Sequence, residues 1–128
     1  MSVTTADLYE RAMHFSGLID AGLAAMRDLA EQYASAEADY RKAKSEAWVR
    51  CPNDDSGVKA GEREWTAARR EAWVDAQTAD LRYKRDLAEA MKQSALEAVR
   101  SRRGQLSAVQ TLANAEREEA AMARTGPN

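Results

Sequence analysis

Hydrophobic residues in the first fifty positions recur at alternating steps of three and four. The pattern persists over about five and a half heptads. The alternation of apolar and polar residues that is typical of a half-buried strand never lasts more than a few residues here. It predicts one long α-helix, about residues 5–50, whose narrow apolar stripe needs a covering helix. The stripe consists of Leu8, Ala12, Phe15, Ile19, Gly22, Met26, Leu29, Tyr33, Ala36, Tyr40, Ala43 and Ala47.

The segment from Cys51 to Gly57 is the strongest turn signal inside the chain. Pro52 disfavours helix at the residue before it, and Asn, Asp and Gly favour turns. We therefore predict a turn over 51–58 and a second helix over about 60–122, with candidate bends at Gly17 and Gly104. The fold class is then all-α: a long antiparallel, coiled-coil-like helical hairpin with a C-terminal helical extension, in one domain spanning residues 1–128.

A turn centred near residue 55 would place Tyr40 opposite Arg70, Leu29 opposite Leu81, and Leu8 opposite Arg102. The stripe of the second helix begins with steps of three, four and four, which indicates hendecad packing. Its predicted members are Trp65, Ala68, Ala72, Ala76, Ala79, Tyr83, Leu87 and Ala90, followed by Met91, Ala95, Val99, Leu106, Val109 and Ala113.

Self-association is predicted because alanine-rich stripes bury little apolar area per residue. In this register the residues beyond about 105 also have little of the first helix left to contact. We therefore predict a homo-oligomer formed through Val99, Leu106, Val109 and Ala113.

Candidate catalytic chemistry is sparse. The single histidine, His14, lies in a helical pattern, and the single cysteine, Cys51, precedes a proline and cannot form an internal disulfide. No phosphate-binding loop, paired metal-ligand spacing or nucleophile elbow is present in the sequence. We predict a non-enzyme with no catalytic residue, metal or cofactor. No apolar run reaches membrane-spanning length, so we expect a cytoplasmic protein that does not contact a membrane.

The net charge of −2 conceals strong segregation. Residues 1–39 carry two basic and seven acidic side chains, whereas residues 40–50 sum to +3 and residues 81–103 to +4. Basic zones in an acidic chain are typical of contact with nucleic acid or an acidic partner.

Helical spacing puts Arg41, Lys44 and Trp48 on one face, where two cations and an indole are suited to a phosphate backbone and a base. Alternatively, the tryptophans close the hairpin core and the cations pair with nearby glutamates. Arg100 and Arg103 likewise either contact phosphates or are neutralised by the acidic first helix.

Two stretches resemble UvsY, the recombination mediator family of T-even phages. Residues 42–48, Lys-Ala-Lys-Ser-Glu-Ala-Trp, precede a break rich in Asn, Asp and Gly and resemble that family's Lys-Ala-Arg-Leu-Asp-Tyr-Tyr element. Residues 95–102, Ala-Leu-Glu-Ala-Val-Arg-Ser-Arg, resemble its Ala-Leu-Asp-Ala-Ile-Lys-Ser-Arg stretch. Residues 105–112 are also similar to small helical proteins of actinobacterial phages.

The resemblance implies a small helical protein that forms a ring-like oligomer in the host cytoplasm. Such a protein binds single-stranded DNA, displaces single-strand-binding protein and helps to load a recombinase. The family's DNA-binding Lys and Arg correspond to Lys42 and Lys44, and Lys at 44 keeps the charge without bidentate geometry. The predicted DNA-binding residues are Arg41, Lys42, Lys44, Trp48, Arg100 and Arg103. The alternatives are a phage scaffold or assembly chaperone, and an inhibitor of one host protein.

Overall fold

The computed structural model describes residues 4–54 and 64–125. The named secondary-structure elements of this part of the chain are all α-helices. It contains α1 (Thr5–Arg50), α2 (Ala67–Gln77) and α3 (Ala79–Arg124). The predicted all-α hairpin is confirmed. The second half of the predicted turn and the predicted helix start near residue 60 lie outside the described residues.

Contacts divide the chain into two units. The terminal unit comprises Met1–Asp28 and Gln93–Asn128, and the central unit comprises Leu29–Lys92. Each unit contains a segment of α1 and a segment of α3, and the central unit also contains α2.

The first helix agrees with its prediction at both ends. The hydroxyl of Thr4 accepts a hydrogen bond from the backbone N–H of Asp7 (3.1 Å), and the Asp7 carboxylate accepts one from the N–H of Thr4 (3.3 Å). This reciprocal cap satisfies donors that a helix start leaves unpaired. The helix ends at Arg50, two residues before Pro52, and Gly17 lies inside it without interrupting it.

The predicted stripe of α1 is confirmed at every position. Leu8, Ile19, Tyr40 and Ala47 are buried, and the other eight members are half-buried. Because the heptad spacing keeps these residues on one side of the helix, the stripe forms a continuous edge of α1 from Leu8 to Ala47.

The described part of the second half of the hairpin begins at Glu64, ahead of the next helix. The backbone N–H of Trp65 donates to the carbonyl of Asn53 (2.8 Å), and Asp54 and Glu64 form an isolated antiparallel bridge. Thr66 then caps α2 by accepting a hydrogen bond from the N–H of Arg69 (3.1 Å). Thr66 is extended, and α2 begins at Ala67.

Thr78 separates α2 from α3. Its side-chain hydroxyl donates to the carbonyl of Val74 (2.8 Å), and its backbone N–H donates to the same oxygen (3.1 Å). Its own carbonyl accepts the N–H of Arg82 (2.9 Å), which begins the next helix. A threonine that bonds back in this way competes with the helical ladder. Gly104 lies within α3 and does not interrupt the helix.

The stripe predicted for residues 68–90 is wrong. Its members on α2 and α3, from Ala68 to Ala90, are all exposed. Instead, one series of buried and half-buried residues runs along α2 and α3 at alternating steps of four and three. It consists of Val74, Thr78, Leu81, Arg85, Ala88, Lys92, Ala95 and Val99, and it resumes with Leu106, Val109 and Ala113. This heptad is not visible as an apolar pattern in the sequence, because three of its positions are the polar residues Thr78, Arg85 and Lys92.

The predicted register is also wrong. In the central unit the guanidinium of Arg85 lies 4.4 Å from the ring centre of Tyr40, and the ammonium of Lys92 lies 4.3 Å from that of Tyr33. Tyr40 is therefore opposite Arg85 and not Arg70. The predicted register assumed a tight turn centred near residue 55, whereas α2 begins at Ala67 and Thr78 separates it from α3.

The C-terminal part of α3 packs inside the terminal unit. Val99 and Val109 are buried, and Leu106 and Ala113 are half-buried. Leu8, Val109 and Ala113 line one groove, so Leu8 is not opposite Arg102 as predicted. The residues beyond 105 do have part of α1 to contact, which removes one argument for an oligomer. The four residues predicted to join subunits contribute to the packing of the chain itself.

Candidate nucleic-acid interface

Three tryptophans gather in the central unit. Ala47, Cys51 and Val74 form a buried cluster, and the half-buried side chains of Trp48, Trp65 and Trp73 pack against it. Ala47 ends the α1 stripe and Val74 begins the buried side of α2 and α3, so both helices supply the cluster. This packing favours the alternative in which the tryptophans close the hairpin core.

Cations cover several of the aromatic rings. The guanidinium of Arg70 lies 5.5 Å from the ring centre of Trp48, and that of Arg69 lies 4.0 Å from the ring centre of Trp65. The Nε atom of Arg70 is buried and has no hydrogen-bond partner within the described residues. A cation over the indole stabilises the pair and reduces the ring surface that a base could stack on.

The predicted basic face of α1 is only partly available. Arg41 is exposed and its guanidinium pairs with the carboxylate of Glu37 at 2.9 Å, within one turn. Lys42 is exposed, and Lys44 is half-buried with its ammonium 5.8 Å from the ring centre of Tyr40. Lys42 and Lys44 are the two residues to which the UvsY resemblance assigns DNA binding. They differ in surroundings, because Lys42 is exposed to solvent whereas Lys44 lies beside the ring of Tyr40.

The basic zone of α3 contains residues with two different roles. Arg85 and Lys92 face the tyrosines of α1, and their aliphatic chains occupy positions that apolar residues normally fill. A hydrogen bond to Asp86 raises the pKa of Arg85, so its charge is retained. Burial raises the pKa of Tyr33, and the neighbouring Glu37 and Glu89 carboxylates add to this effect.

Arg100, Arg102 and Arg103 are exposed on the part of α3 that belongs to the terminal unit. Arg102 donates to the side-chain oxygen of Gln105 at 3.2 Å. The ion pairs formed among the described residues, 4–54 and 64–125, are Arg41–Glu37 and Arg85–Asp86. Each pair lies within a single helix, so neither joins α3 to α1. Neutralisation by the acidic first helix, the alternative considered for Arg100 and Arg103, is not observed there.

Other reactive groups have ordinary surroundings. His14 is exposed on α1, and its ring lies 5.7 Å from that of the half-buried Phe15. Cys51 is a free, buried thiol whose Sγ approaches the carbonyl oxygens of Pro52 (3.5 Å) and Arg70 (3.9 Å). The described residues contain no group of His, Cys, Asp and Glu arranged to hold a metal ion. None of their helices is long and apolar enough to cross a bilayer.

Comparison of the chain with models of protein families, with characterised proteins and with solved structures finds no significant match.

Sequence reasoning missed the paired tyrosines and cations, although a signal was present. Tyr33 and Tyr40 are seven residues apart on α1, and Arg85 and Lys92 are seven apart on α3. Equal heptad spacings on antiparallel helices allow both pairs to meet at once. A search for matched aromatic and cationic heptads would have indicated the register.

Proposed function

We propose that this protein is a non-enzymatic, single-stranded DNA-binding protein that acts as a recombination mediator of phage type. The observation that carries the proposal is the exposure of Arg100 and Arg103 without a carboxylate partner among the described residues. They are three residues apart on α3, so both guanidinium groups are presented on neighbouring positions of one side. The resemblance of residues 42–48 and 95–102 to UvsY supports the same reading.

Phosphate is the ligand that fits these arginines best. A guanidinium presents several donors in a planar fork that matches phosphate oxygens, and it stays charged at any physiological pH. An exposed arginine with no ion pair also loses no internal partner when it binds a phosphate. Arg100 and Arg103 are therefore assigned the principal contacts with the DNA backbone.

The exposed cations of α1 provide a second set of contacts. Lys42 has no ring or ion pair among the described residues and is assigned a direct phosphate contact. Arg41 must exchange its pair with Glu37 for a phosphate, which weakens its contribution. Lys44 and Trp48 lie closer to the packed aromatic groups and are assigned weaker contacts.

The chain's overall charge shapes the expected behaviour. With a net charge of −2, long-range attraction to DNA is weak, and binding depends on the local clusters. We expect affinity that falls steeply with salt, because each neutralised phosphate releases counterions. Contacts with a recombinase and with single-strand-binding protein belong to the mediator role that we propose.

The test is fluorescence anisotropy with a labelled oligothymidylate at low salt. The double variant Arg100→Gln/Arg103→Gln should bind roughly tenfold or more weakly, and the slope of log K against log salt should fall by about 1.4, or 0.7 per lost contact. The matched control is Arg27→Gln/Arg117→Gln, which removes the same charge from two other exposed positions. Lys42→Ala/Lys44→Ala should give a smaller loss.

Two results would contradict the proposal. One is the absence of measurable binding by the wild-type protein at low salt. The other is an equal loss in the Arg100/Arg103 variant and in the Arg27/Arg117 control, because that result would indicate a response to net charge alone. Circular dichroism of every variant verifies that helical content is unchanged.

A further inference from the structure

Tyr9 presents an aromatic ring that the packing of the terminal unit leaves uncovered. It is 67% exposed, and among the described tyrosines and tryptophans only Tyr83, at 68%, is comparably exposed. The rings of Tyr33 and Tyr40 instead lie beside cations of α3. Within the described residues no other ring or cation contacts the ring of Tyr9, so this ring is accessible for stacking.

Tyr9 lines a groove between α1 and α3 in the terminal unit, which we call the Tyr9 groove. The buried side chains of Leu8 and Val109 line it as well, and Gln110 and Asn114 contribute amides from α3. Neither amide takes part in a side-chain hydrogen bond within the described residues. Its volume of about 230 Å³ is below the roughly 300–1,000 Å³ of pockets for drug-sized ligands, which suits a single planar ring.

The charges at this groove differ from those at a neighbouring groove of the same unit. Val109 also lines the second groove, where α1 contributes the carboxylates of Asp7 and Glu10 against the single guanidinium of Arg11. No carboxylate of the described residues lines the Tyr9 groove. A strand that carries phosphates is therefore repelled by the second groove and not by the Tyr9 groove.

The Tyr9 groove also lies on the side of α3 that carries the arginines assigned to the DNA backbone. Residues 100, 103, 107, 110 and 114 follow one another at steps of three and four, so one side presents two arginines, a serine and two amides. All five are exposed, and residues 98–115 contain no Asp or Glu. Arg103 and Gln110 are about 10 Å apart along the helix axis, a distance that about three stacked nucleotides span. A strand held at Arg103 therefore reaches the groove.

We propose that the Tyr9 groove binds one nucleobase of the single strand whose phosphates Arg100 and Arg103 contact, an inference that rests on the proposed function. The base stacks on the ring of Tyr9, which accepts any base because every base has a π-face. Gln110 and Asn114 border it with amides, whose donors and acceptors match the mixed hydrogen-bonding edge of a base. In a chain with a net charge of −2, stacking supplies affinity that long-range attraction does not.

The chain becomes acidic beyond Asn114. Arg117 also lines the groove, but Glu116 and Glu118 are its neighbours in sequence. Carboxylates beside a guanidinium reduce the positive potential that a phosphate meets, so Arg117 is assigned no phosphate contact. The proposed path of the strand therefore ends at the Tyr9 groove.

Fluorescence anisotropy with a labelled oligothymidylate tests the base site separately from the phosphate contacts. Tyr9→Leu should weaken binding roughly 5- to 150-fold, the range for the loss of one stacked base, whereas Tyr9→Phe should keep most of the affinity. The slope of log K against log salt should be unchanged in Tyr9→Leu, because the ring neutralises no phosphate. Tyr83→Leu is the matched control: this equally exposed tyrosine belongs to the central unit, and its replacement should leave the affinity unchanged.

An oligomer of the same length in which abasic spacers replace the bases provides a second measurement. The wild-type protein should bind it more weakly than oligothymidylate. Tyr9→Leu and the wild type should bind it equally, because no base remains to stack on the ring. Circular dichroism verifies that every variant keeps its helical content.

A Tyr9→Leu variant that loses no more affinity than Tyr83→Leu would overturn the base site, and a loss confined to Arg100→Gln/Arg103→Gln would leave the proposed function standing. A Tyr9→Leu loss that persists on the abasic oligomer would also overturn stacking. Equal wild-type affinity for the two oligomers would do so even if Tyr9→Leu did not fold. Absence of any wild-type binding would overturn both the base site and the proposed function.

Discussion

Replacing Gly22 by alanine should destabilise the protein, although the same change at most helix positions stabilises. Gly22 lies in the α1 stripe, and a Cβ built on it would be 2.8 Å from the Cγ2 atom of Val99. Val99 is only 2% exposed and β-branched, so it has one strongly preferred rotamer in a helix and little room to move. The missing Cβ therefore allows α3 to approach α1 closely at this level of the terminal unit.

Two opposing contributions set the change in unfolding free energy that Gly22→Ala causes. Alanine in place of glycine favours a helix by about 1 kcal/mol, and an overpacked methyl group costs about 1–3 kcal/mol. Gly17 and Gly104 are matched controls, because a Cβ at either position meets no atom within 4 Å. The difference in unfolding free energy between Gly22→Ala and Gly17→Ala isolates the packing cost and should be about 1–3 kcal/mol.

The assay is thermal and urea unfolding followed by far-UV circular dichroism at low protein concentration. Gly17→Ala and Gly104→Ala should raise the midpoint, and Gly22→Ala should fall below Gly17→Ala by roughly 4–12 °C. In a Val99→Ala background the penalty at Gly22 should disappear, since the opposing methyl groups are gone. Equal stabilisation at Gly17 and Gly22, or a penalty that survives Val99→Ala, would refute the reasoning.

Two further predictions concern polar contacts. Lys92→Met keeps the aliphatic chain and removes the charge over Tyr33, so it should cost about 0.5–1 kcal/mol in the wild type and almost nothing in a Tyr33→Leu background. A urea double-mutant cycle measures this coupling, and equal losses in both backgrounds would contradict it. Hydrogen bonds from the hydroxyl and the backbone of Thr4 lower the pKa of Asp7 from its ordinary 3.8. Asp7 therefore stabilises the helix start above about pH 3.8, and this contribution is lost as the pH falls through the lowered pKa. Acid titration followed by circular dichroism should show a smaller loss of helix for Asp7→Asn than for the control Asp20→Asn, and identical profiles would exclude this role.

The sequence alone was sufficient for α1 because its signal is local. A heptad of apolar residues, a Thr4–Asp7 cap and a proline shortly after Arg50 specify the helix, its buried side and both its ends without reference to the rest of the chain. Every member of the stripe from Leu8 to Ala47 is buried or half-buried. Local periodicity therefore determined which side of α1 packs.

The second half of the hairpin shows where such reasoning is insufficient. Two apolar patterns overlap on α3, and the one with the clearer hydrophobic spacing, including Tyr83 and Leu87, is exposed. The buried pattern contains Arg85 and Lys92, which periodicity treats as polar. Only the rings of the facing helix make those positions suitable for packing, and a single-helix pattern contains no information about that helix.

The candidate interface divides in the same way. Charge segregation along the chain was sufficient to locate the basic zones, because net charge is a property of composition. Which cations remain available was decided by tertiary contacts: Arg85 lies over Tyr40, whereas Arg100 and Arg103 remain exposed. The composition of a segment determines how many charges it carries, but the register between two helices determines which of those charges face a ring and which face solvent.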